Sequence, residues 1–113
     1  MSHHEHKSII VSCMYYFEVI DEAHRIACEL FSAEAVSPLE RENEISTSSF
    51  MVRPYICDTG PSISREDEKR ARFIAILTSL KREQQQLEWV AVNFGDEDAR
   101  PASIVDDSSG RLR

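Results

Sequence analysis

Three cysteines and four histidines are the side chains of this 113-residue chain best suited to nucleophilic or metal chemistry. His24 and Cys28 stand four apart in a helical stretch, a spacing that lets two ligands face one metal. On a wheel of about 100° per residue they lie about 140° and 180° from Val19, off the apolar stripe. A structural zinc site needs four ligands, and Cys13, Cys57 or His6 would have to complete it through folding alone. A surface histidine and an incidental thiol are the expected reading. His3, His4 and His6 make a short tract able to bind a transition metal weakly, and a disordered start is expected of it.

Nucleophilic catalysis would want a thiol beside a base. Cys13 with His24, or Cys57 with Asp58, are the conceivable pairs, but no local signature such as G-x-S-x-G accompanies them. Asp21-Glu22-Ala23-His24 spells a helicase DEAH box, yet its chemistry needs a phosphate-binding loop. The chain has only three glycines, at 60, 95 and 110, and no such loop. Asp96, Glu97, Asp98, Asp106 and Asp107 resemble a calcium loop in composition but not in spacing. No residue is assigned a catalytic, cofactor-binding or metal role.

The elements that would position these groups are easier to read. Ser64 and Asp67 form a variant capping box, and Glu66, Asp67 and Glu68 crowd a helical first turn. Phe73, Leu77 and Leu80, flanked by Ile74 and Ile76, make one apolar stripe from Ser64 towards Gln84–Gln86. Leu87 to Phe94 then alternates as a strand, closed by a Gly95-Asp96 turn. Upstream, Lys7 to about Tyr16 is rich in β-branched and aromatic residues and predicts strand one. Val19, Ala23, Ile26, Ala27 and Leu30 predict helix one, beginning at Phe17 or Asp21 and ending near Ser32 to Ala35. Val36 to Asn43 reads as a loop, and Glu44 to Ile56 as strand two with Pro54 at an edge or end. Ala102 to Val105 is an optional fourth strand, and residues 106–113 a flexible acidic tail.

These elements give an α+β domain over residues 7–105, after a disordered N-terminus of residues 1–6. It has a mainly antiparallel sheet of three or four strands with two helices on one face. A ferredoxin-like, split β-α-β topology is one candidate, and requires strand two to be two strands. If only one sheet face is covered, either Trp89 or the set Val90, Val92 and Phe94 is left for the other. A second copy of the sheet would cover it, giving a homodimer.

Composition narrows the function further. Net charge is −7, from 20 acids and 13 bases. Residues 64–86 hold six bases and four acids, so the rest of the chain is strongly negative. That is not the electrostatic footprint of a nucleic-acid binder. No apolar run reaches the roughly 20 residues of a membrane span, and no secretory signal is evident, so a cytoplasmic protein with reduced thiols is expected.

The resulting expectation is a non-enzymatic protein-interaction module of bacterial or phage accessory type. Its surface would comprise Trp89, Val90, Val92, Phe94, Asp96, Glu97 and Asp98, and its partner would be another protein or itself. Two alternatives stand beside it. One is an acidic inhibitor mimicking nucleic-acid charge; the other is a small thiol- or metal-dependent enzyme or ligand binder.

Overall fold

The computed structural model describes residues 4–42, 46–58, 65–94 and 101–109. Among them two helices and five strands follow one another as β1 (His4–Met14), α1 (Phe17–Phe31), β2 (Glu40–Glu42), β3 (Thr47–Asp58), α2 (Arg65–Glu83), β4 (Leu87–Asn93) and β5 (Ser103–Asp107). The strands form one antiparallel sheet in the order β2-β3-β1-β4-β5. β3 lies between β1 and β2, and β1 lies between β3 and β4. The units β1-α1-β2 and β3-α2-β4 are therefore each split by a strand of the other. β5 extends the sheet beyond that scheme.

Alternation explains how the sheet acquires one wet and one dry face. Ile9, Val11 and Cys13 of β1 pair with Val52, Phe50 and Ser48 of β3 and with Ala91, Trp89 and Leu87 of β4. All nine are buried, beneath both helices. α1 contributes Ile20, Ala23, Ala27 and Phe31, and α2 contributes Phe73 and Leu77. Aromatic edges lock these layers together, with Phe31 on Phe73 at 5.7 Å and Phe50 on Phe73 at 6.4 Å between ring centroids. The first pair meets edge to face and the second at a tilt, and such contacts add to the area they bury.

Several expectations change. α1 takes the earlier of its two expected starts, Phe17, but its buried stripe is Ile20, Ala23, Ala27 and Phe31. Val19, Ile26 and Leu30 lie on its flank, only partly buried. The second half of the split unit comes from residues assigned to a loop. Glu40–Glu42 pairs with Thr47–Ser49, while β3 stays a single strand. An alternating apolar pattern is absent from Glu-Arg-Glu because pairing, and the placement of Arg41, make this strand. Arg41 lies 4.6 Å from the centre of the Phe17 ring and pairs with Asp21 of α1.

β1 begins at His4, ahead of Lys7, and β5 runs through Asp106 and Asp107, residues assigned to the tail. The 64–94 unit largely follows expectation, although Ser64 and its cap lie outside the described residues.

Pro54 sits at an irregularity rather than at a strand end. Lys7 pairs with Tyr55 and Ile9 with Val52, so Arg53 and Pro54 together oppose the single residue Ser8. A bulge tolerates a residue with no N–H to give. Ser8 Oγ donates to the Val52 carbonyl at 2.7 Å, which supplies a partner where the ladder is interrupted.

Candidate interaction face

The sheet face away from the helices is built by the residues between the buried ones. Across its centre runs Met51–Ile10–Val90, each directly opposite the next, and Val90 is followed by Asp107 of β5. The adjacent row holds Ser8, which is buried, then Val92 and Ile104. No described helix covers this face. Ile10 is 36 % exposed although Ile9 and Val11 beside it are buried, and Ile104 is 56 % exposed. Val90, Val92 and Met51 are partly buried. The row on the other side of Ile10 is polar: Glu40–Ser49–Ser12–Glu88. Arg53, exposed, stands beyond Met51 at the opposite end of the face.

Placement settles which residues of β4 belong here. Trp89 is only 4 % exposed and packs with Leu87 and Ala91 towards the helices, so it is removed from the surface. Val90 and Val92 remain on it. Phe94, just after β4, is exposed. Asp96, Glu97 and Asp98 lie outside the described residues. Sequence reasoning missed Ile10, Met51 and Ile104. Once a register is known, strand alternation identifies all three, but the register itself is a tertiary fact.

The groups suited to chemistry are separated. His24 turns inward, its ring edge-on to Phe50 at 5.0 Å, and its Nε2 lies 2.9 Å from the Ser37 carbonyl. A carbonyl only accepts, so this nitrogen carries the proton. The expected solvent position of His24 is thus corrected: the true stripe of α1, rotated towards Ile20 and Ala27, brings it onto β3. Cys28 is half-buried against the core. Cys13 is fully buried, and its Sγ faces the carbonyls of Met14 and Tyr16 at 3.9 and 3.6 Å. Burial pushes the Cys13 thiol up from its ordinary pKa, the reverse of what activates a nucleophile. The side chain of Cys57 lies outside the described residues. Among those described, no group of three His, Cys, Asp or Glu side chains could hold a metal ion.

An open cleft of about 490 Å³ lies beside the β1–α1 junction, lined by Tyr15, Tyr16, Phe17, Glu18, Val19 and Gln84. Tyr15 adopts φ 70°, an unusual conformation for a bulky residue, while its N–H donates to the Ser46 carbonyl at 2.7 Å. The lining carries no histidine, cysteine or lysine.

Arg70 is a further residue that sequence reasoning overlooked. It is only 8 % exposed, and its Nε has no hydrogen-bond partner. Its position was readable, since Arg70, Phe73 and Leu77 share the helical spacing of the apolar stripe. No family model, curated protein or solved structure matches the chain. No described helix is long and apolar enough to cross a membrane.

Proposed function

We propose that this chain is a protein-interaction module without enzymatic chemistry, acting through the helix-free face of its sheet and the acidic groups beside it. One observation carries the reading: Ile10, on the central strand, is exposed in line with Met51 and Val90. Single exposed apolar residues are ordinary on any protein, but a contiguous row framed by polar residues marks a contact surface. Glu40 and Glu88 frame this row on one side, Glu88 already paired with Lys81 of α2. Glu40 favours a partner that brings a cationic group to that end.

Affinity capture with the full chain tests the reading, using Ile10→Asp beside the unchanged protein. A partner retained at matching stoichiometry by the unchanged chain, and lost with Ile10→Asp, is the expected outcome. Capture that is indifferent to Ile10→Asp, by a variant that still folds, would place the binding surface elsewhere.

A further inference from the structure

We infer that the occupant of the open face is a second copy of this chain, related by a two-fold axis that reverses the strand direction. The inference rests on the proposed reading of that face as a docking surface. Its own support is the distribution of charge about the apolar centre. Arg53 stands one row beyond Met51 on β3, and Ser49 one row before it, with Glu40 directly beside Ser49 on β2. Arg53 takes part in none of the ion pairs found among the described residues.

Two sheets packed face to face lie about 10 Å apart, with their strands roughly aligned. An in-plane two-fold axis passing across the strands at the Met51–Ile10–Val90 row lays that row on its own copy. It also places Arg53 over the partner's Ser49 row, one strand spacing of about 4.8 Å from the second copy of Glu40. Symmetry repeats the pair, so two Arg53–Glu40 contacts lie on either side of the Met51 end of the apolar row.

The other in-plane axis, along the strands, brings no such pair together: it would lay Arg53 over Val92 and Ile104, away from Glu40, while Glu88 keeps its own partner Lys81. Edge-to-edge growth of the sheet is blocked as well. β2 is only three residues long, and β5 carries a register irregularity opposite Ala91 and Val92 and ends in Asp106-Asp107. Short, irregular and charged edges resist strand addition.

Light scattering on the full chain at high micromolar concentration tests this, together with Ile10→Asp, Arg53→Glu, Glu40→Arg and the double variant Arg53→Glu/Glu40→Arg. Circular dichroism first confirms that each variant folds. The expected mass is twice the 13.0 kDa of one chain. Ile10→Asp should give the single-chain mass. Each charge reversal should weaken the dimer by about tenfold, and the double variant should restore it, because exchanging both charges rebuilds the pair. A single-chain mass for the unchanged protein overturns the inference. So does a dimer that neither Ile10→Asp nor the charge reversals affect. If the protein is monomeric but capture of a foreign partner is still lost with Ile10→Asp, the inference falls and the proposed function stands. If that capture is also insensitive, both fall.

Discussion

At the scale of single residues, burial decides what the suggestive side chains can do. Cys13 is enclosed between β1 and the start of α1, and losing its proton there would put a charge where water is absent. Its folded-state pKa is therefore above that of the unfolded chain. The stability this contributes is complete below the unfolded thiol value of about 8.5 and is lost as pH rises towards the folded value. Chemical denaturation across that alkaline range should show falling stability, and Cys13→Ser should flatten the fall. In the native protein, mass-mapped alkylation should modify Cys28 well before Cys13. Arg70 offers a complementary test. A buried guanidinium that lacks a full set of partners costs free energy, while its stem still packs. Arg70→Met should leave stability unchanged or raise it by about 1 kcal/mol, read from the urea midpoint. A loss of similar size would show that Arg70 has a counter-ion in solution.

At the scale of elements, stability rests on the inward stripes rather than on surface ion pairs. On the solvent side of α1, Arg25 pairs with Glu22 and with Glu29, the latter at 2.6 Å. Its hydrogen bonds hold the Glu22 carboxyl below its ordinary pKa and push that of Arg25 up. These groups are exposed, and water and salt screen them. Phe73 of α2, by contrast, touches the rings of both Phe31 and Phe50. Phe73→Ala should cost about 3–5 kcal/mol in equilibrium unfolding. β4 can be followed by its own probe, because Trp89 is the single tryptophan of the chain. Its emission should be blue-shifted and poorly quenched by acrylamide in the native state, and both features should vanish on unfolding.

At the scale of the whole molecule, the described residues form an asymmetric sandwich: helices on one side of the sheet, and on the other a face that no described helix covers. Neighbours in sequence therefore have opposite fates. Ile9→Asp would bury an unpaired carboxylate under the helices and should abolish cooperative folding. Ile10→Asp, one residue on, should fold with a thermal midpoint close to that of the unchanged protein while losing association. Thermal melts of the two variants compare these outcomes directly. If both unfold alike, the open face is covered from within the chain.

Much of this architecture is written locally. The spacing of Phe73, Leu77 and Leu80, the alternation from Leu87 onward, and the β-branched run about Ile9 to Val11 each encode an element in adjacent residues. The α+β class follows from their succession, because two helices and a small sheet can bury their apolar sides only against one another. β2 was not legible, since Glu-Arg-Glu is a strand only beside Thr47–Ser49 and under the hold of Arg41 on α1. Nor was the choice between Trp89 and Val90/Val92 as the outward set. Alternation sorts residues into two sets, and only the placement of both helices on one side says which set is dry. The strand register was likewise undetermined, and it alone brings Ile10, Met51 and Val90 into one row, with Arg53 and Glu40 on opposite sides of its Met51 end. The sequence by itself determined which residues stand together on each element, because helical and strand periods are local. The tertiary structure alone decided which of those faces meets water, because burial depends on what is packed above each element.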